Sequence, residues 1–100
     1  MKKIKILTIG RNAEIAAVLL RLINSNQAWE GMLALNDEEA KKLFAENSID
    51  LVLLGSGIEE ESERILRKFF TTLKPGIIIL QHFGGGSGLL KNEINEALAG

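Results

Sequence analysis

The chain has 100 residues, 46% hydrophobic and 25% charged, with one proline and no cysteine, which suits a single domain over residues 1–100 whose core needs no disulfide staples. Twelve basic and thirteen acidic residues leave a net charge of −1, so the basic footprint of a nucleic-acid binder is excluded. No apolar run approaches the ~20 residues of a membrane span, and MKKIKILTIGR offers only about five apolar residues where a secretory signal needs about 7–15, so a cytoplasmic protein is expected.

Lys5–Ile9 (KILTI) is a short β-branched run ended by Gly10 and reads as a buried strand. Ala13–Asn24 places Ile15, Val18, Leu19, Leu22 and Ile23 at helical spacing, which predicts an amphipathic helix capped by Asn12. Trp29–Leu35 (WEGMLAL) reads as a weaker strand, and its Gly31 suits a sheet edge. Asn36 or Asp37 caps the next helix, Glu38–Asn47, whose apolar positions are Ala40, Leu43 and Phe44. Its acids precede Lys41 and Lys42, the order the helix dipole favours.

Asp50–Leu54 (DLVLL) is the most strand-like segment, followed by Gly55-Ser56-Gly57. The longest predicted helix is Glu59–Leu73, with acids in its first turns and Ile65, Leu66, Phe69, Phe70 and Leu73 expected inward. Ile77–Leu80 (IIIL) reads as a fourth buried strand, Gly84–Gly88 as a loop, and Leu89–Ala99 as a last helix with Leu90, Ile94 and Leu98 on one face. Strands alternating with helices of this length demand an α/β fold with a parallel sheet covered on both faces.

KKIKILTIGRNAEIAAVLLRLI resembles the opening of a response-regulator receiver domain, where such a strand runs into a pair of acidic residues. NDEEAKKLFAENSIDLVLLGSGI resembles the same family's second helix and third strand, and EALAG is similar to the end of its fourth helix. The resemblance implies a flavodoxin-like, three-layer α/β/α architecture with a four-stranded sheet in the order 2-1-3-4. It also implies where the family's chemistry would stand. Gly10 and Arg11 occupy the place of the acidic pair, Gly55 that of the phosphoacceptor aspartate, and Gln81 that of the hydroxyl residue ending the fourth strand. The lysine that follows a receiver's fifth strand has no counterpart in these residues. Phosphoryl transfer to a side chain needs a carboxylate nucleophile, and Mg²⁺ needs oxygen ligands. Asp50 cannot substitute, since it begins its strand, about 16 Å from the carboxyl end where ligands of such sheets bind.

The three glycine-bearing loops gather at that carboxyl end. Gly10, Arg11, Gly55, Ser56, Gly57, Gln81, His82, Gly84, Gly85, Gly86 and Ser87 would rim a polar crevice at helix N-termini, suited to a small anion. The bland reading is that tight βα turns simply use glycine. GSGIEE and GGGSGLLK match neither the dinucleotide nor the P-loop fingerprint. His82, the sole histidine, would need a nucleophile, and Ser56 lacks a G-x-S-x-G elbow. No cofactor or metal site is expected. The run Glu59–Glu63 reads as a solvated helix start or, less simply, an acidic docking patch.

Ile77–Leu80 is too apolar for an open edge, and such edges invite pairing with another chain. Ile77, Ile79, Leu89, Leu90 and Ile94 are therefore expected at a homodimer or partner interface; the alternative is that the last helix folds back over that edge. The expectation overall is a non-catalytic, phosphorylation-incompetent receiver-like module acting through protein–protein interaction in bacterial-type signalling. A small anion- or nucleotide-binding protein is the rival reading, and a hydrolase built on Ser56 and His82 a weaker third.

Overall fold

The computed structural model describes residues 3–55, 57–81 and 87–99, the side chains of 87–89 excepted. The elements follow the expected alternation: β1 (Ile4–Ile9), α1 (Ala13–Asn24), β2 (Trp29–Ala34), α2 (Asp37–Glu46), β3 (Leu51–Leu54), α3 (Glu60–Leu73), β4 (Ile78–Gln81) and α4 (Ser87–Ala99). The sheet is parallel throughout, in the order β2-β1-β3-β4. Its last rung aligns Ala34, Ile9, Leu54 and Gln81, so every βα loop leaves from one edge.

Alternation along the strands divides the core in two. Leu7, Ile9, Val52 and Leu54 meet Ala40 and Phe44 of α2 and Leu66 and Phe70 of α3. Ile6, Leu51 and Leu53 meet Leu19 and Ile23 of α1 and Leu90 and Ile94 of α4. Helices α2 and α3 thus cover one face, α1 and α4 the other. Phe44 and Phe70, with ring centroids 4.5 Å apart, and Phe69, 5.8 Å from Phe70, tie α2 to α3.

Capping follows the sequence. The Asn12 side chain accepts from Ile15 N–H at 3.1 Å, and that of Asn36 from Glu39 N–H at 2.8 Å, while Glu39 reaches back to Leu35 N–H at 2.9 Å. This reciprocal arrangement at α2 satisfies donors that the helix leaves unpaired. Gly31 serves a different purpose on the edge strand. A Cβ there would sit 2.9 Å from side-chain atoms of Ile23 and Leu20, so only glycine lets the end of α1 lie this close to β2.

Several expectations are corrected. Ile15 and Val18 are 51% and 47% exposed, because α1 turns Ala16, Leu19 and Ile23 inward instead. On α3 the buried row is Leu66 and Phe70, leaving Ile65 and Leu73 in solvent. Asp50 precedes β3 rather than opening it; its carboxylate accepts from Lys5 N–H at 2.9 Å and takes over a ladder position. Ile77 likewise precedes β4, and Ser87 begins α4 rather than lying in a loop.

The expected interface fares worst. Leu90 and Ile94 are 2% and 0% exposed, packed under α4 against the sheet, and Ile77 is buried as well. Burial in the core removes all three from any surface. Ile79 is half-buried against the α2–α3 side, and the Leu89 side chain lies outside the described residues. Among the described residues the outer edge of β4 has no neighbouring strand. A right-handed crossover to a further parallel strand there would put its helix on the side of α3. Instead α4 lies beside α1.

Candidate functional site

At the carboxyl edge Gly10 N–H donates to Ala34 O at 3.1 Å and Gly55 N–H to Ile9 O at 2.7 Å, which extends the ladder one step into the loops. Gly55 is packed against backbone, since a Cβ there would lie 3.0 Å from Ile9 O. A Cβ on Gly57 would lie 3.5 Å from that of Arg11, so the loop after β3 passes over the arginine stem. Gly10, Arg11, Gly55 and Gly57 therefore do come together, as the sequence anticipates.

What surrounds Arg11 is not what the sequence anticipates. Its Nη2 donates to Asp37 Oδ1 at 2.6 Å, its Nη1 to Leu35 O at 3.4 Å, and its Nε to Glu59 Oε1 at 3.4 Å. One guanidinium thus links the starts of α2 and α3. The bond to Asp37, foremost, raises the Arg11 pKa further against the cost of burial. Burial alone would raise the Asp37 carboxyl. Hydrogen bonds from Arg11 and Ser62, with the charges of Arg11 and Lys41, outweigh it and hold that carboxyl below its ordinary 3.8.

Gln81 turns away from this cluster and donates to Glu63 Oε1 at 3.5 Å. Ser56, His82, Gly84, Gly85 and Gly86, and the side chain of Ser87, lie outside the described residues. Beneath the edge, the Thr8 hydroxyl is fully buried with no hydrogen-bond partner among the described residues. It lines a cavity of about 10 Å³ with Gly10, Asn12 and Gly55, among others, which is the volume one water needs.

Solved structures with the same fold include receiver domains. A response-regulator receiver domain from Clostridium thermocellum superposes with a TM-score of 0.71 at 24% identity, over 97% of this chain and 76% of its own. The signal receiver domain of an HD domain-containing protein from Pseudomonas fluorescens gives 0.72 at 19%, over 97% and 78%. A complex of the phosphorylated P1 domain of CheA3 with CheY6 from R. sphaeroides gives 0.70 at 20%, over 97% and 98%. The fold is that of a receiver domain. No protein-family model matches the chain, and no curated protein does.

Receiver chemistry implies Mg²⁺, and the described residues do not fit it. Gly10 and Gly55 offer no carboxylate at the carboxyl edge. The acids nearby, Asp37 and Glu59, face a guanidinium that stands where a cation would have to bind. Among the described residues no three of His, Cys, Asp or Glu cluster with metal-ligand spacing, and no helix is long and apolar enough to cross a membrane.

Asp37 and Glu59 are the site residues that sequence reasoning missed. There Asp37 stood as a candidate helix cap and Glu59 as part of a solvated helix start or an acidic docking patch. The available signal was topological: in a receiver fold the first turns of α2 and α3 share an edge with the β1 loop, so their acids are the nearest partners for Arg11.

Proposed function

We propose that this receiver-fold chain is a signalling module that works without aspartyl phosphate, in the cytoplasm, by binding another protein. The observation that carries the reading is the Arg11 cluster. At the edge where the fold's phosphoryl chemistry would sit, an internal salt-bridge network joins α2 to α3 and leaves the guanidinium already engaged by two acids. Ligand chemistry there would have to break that network first. The similarity to a complex in which CheY6 is held by a CheA3 domain supports partner binding as a use of this fold.

The same observation weighs against the anion reading, because an incoming phosphate would compete with Asp37 at 2.6 Å. Self-association keeps one route, the open edge of β4. Sedimentation at high concentration tests it: a strict monomer removes the homodimer.

The decisive experiment is incubation with acetyl phosphate and Mg²⁺, followed by intact mass and thermal-shift measurements. No phosphoryl adduct and no shift are expected, with phosphate, pyrophosphate and nucleotides equally silent. A covalent phosphoryl group would overturn the proposal. A nucleotide shift lost in Arg11→Ala would replace it with the anion reading, since a ligand at a hundred times its Kd stabilises by about 2.7 kcal/mol.

A further inference from the structure

We infer that the groove between α2 and α3 docks an acidic amphipathic helix from another protein, an inference that rests on the protein-binding reading above and names its partner class. Helix α3 carries two apolar rows. Leu66 and Phe70 form the buried one. Ile65, Phe69 and Leu73, each four residues on from the last, form a second row along the outside. Ile65 and Leu73 are 45% and 55% exposed, and Phe69 is half-buried. The first core uses none of the solvent side of this row.

That row floors one open depression of about 400 Å³, and Leu73 joins it to a second of about 390 Å³ lined by the end of α2 and the segment before β3. Lys41 and Lys68 rim the first, Lys74 the second, and no acidic residue lines either one. Lys41 Nζ stands 5.6 Å from the Phe69 ring centroid. Lys68 has no carboxylate within ion-pair distance among the described residues, although Arg64 and Arg67 on the same helix are paired with Glu61 and Glu63. Lys74 closes the far end, donating to Ile49 O at 2.5 Å and standing 3.9 Å from Asp50.

An apolar row of roughly 12 Å, two helical turns, matches an i, i+4, i+8 row on a partner helix. Lys41 and Lys68 border the first depression with no acid in its lining, so the matching flanks are acidic. The α3 acids of a second copy are poorly placed to supply them, since Glu59, Glu61 and Glu63 already pair with Arg11, Arg64 and Arg67.

The test uses two designed peptides with the same leucine row, one flanked by glutamates and one by lysines, titrated into isotope-labelled protein. The acidic peptide should shift amides of Lys41, Ile65, Phe69 and Leu73. It should bind roughly tenfold tighter than the basic one, as a few surface ion pairs would give, and weaken with salt. Lys68→Glu with Leu73→Ser, both exposed, should abolish this while leaving β1 and β3 amides in place. Equal binding of both peptides, no shifts, or shifts confined to β4 would overturn the groove. Concentration-dependent shifts of the groove without peptide would assign it to a second copy and overturn it too. Phosphoryl uptake from acetyl phosphate remains the separate failure of the underlying reading.

Discussion

Two of the places where cations meet the surface are built in opposite ways. At the carboxyl edge, Arg11 is enclosed by Asp37, Glu59 and Leu35 O, and Gly55 packs against backbone. On the α2–α3 face, Lys41 and Lys68 border apolar side chains without an acid in the lining. Charge alone does not mark a binding site. What matters is whether the fold has already consumed it, and here the region that fold analogy nominates is consumed while the other is not.

The contrast breaks most sharply at Gly55. Gly55→Ala places a methyl 3.0 Å from Ile9 O, and backbone cannot step aside as a flexible side chain does. A loss of about 1–3 kcal/mol is expected, read as a fall in Tm of roughly 4–8 °C per kcal/mol. A neutral result would mean the edge is looser than described and could admit a ligand.

Asp37→Asn tests the ion-pair network itself, at a cost of about 1 kcal/mol. The folded Asp37 pKa lies below 3.8, so its stabilisation is present above that pH and lost as pH falls through the depressed value. Urea midpoints measured down the acid limb should therefore converge for wild type and Asp37→Asn. The variant leaves Glu59 as the one ionic partner of Arg11 among the described residues, and phosphate should stabilise it while leaving wild type unmoved.

Thr8→Val should be neutral or stabilising by up to about 1 kcal/mol, since it removes a buried hydroxyl that has no described partner. A clear loss, read from the urea midpoint at constant slope, would show that the hydroxyl is bonded in solution. The smallest effect is expected for Lys68→Glu with Leu73→Ser, within about 0.5 kcal/mol of wild type. A large loss there would show the outer row of α3 to be part of the core.

The strands were legible because parallel, doubly covered strands are continuous apolar runs, KILTI and DLVLL admitting little else, whereas their order came from the receiver resemblance. Caps at Asn12 and Asn36 were legible for local reasons, a side-chain acceptor before a first turn. Helix facing was legible only in part. Ile15 and Ile65 stand one position from the buried Ala16 and Leu66, and periodicity alone cannot tell a wide buried stripe from a narrow one with an apolar fringe. The placement of Leu90 and Ile94 at an interface failed similarly, because they look alike whether a helix packs on its own sheet or on another chain. Arg11 was found, but its partners were not, since they lie 26 and 48 residues away and only the fold brings them near.

The docking of α4 beside α1 carries a consequence for motion. The helix is held mainly by Leu90 and Ile94, with Ala97 and Leu98 at the margin, and it adds no strand to the sheet. Such a unit can lift off without breaking the β ladder. Its amides then exchange with solvent through a partial opening, while those of β1, flanked on both sides, wait for global unfolding. Each such opening would bare Leu51 and Leu53, which share a cluster with Leu90 and Ile94, to water.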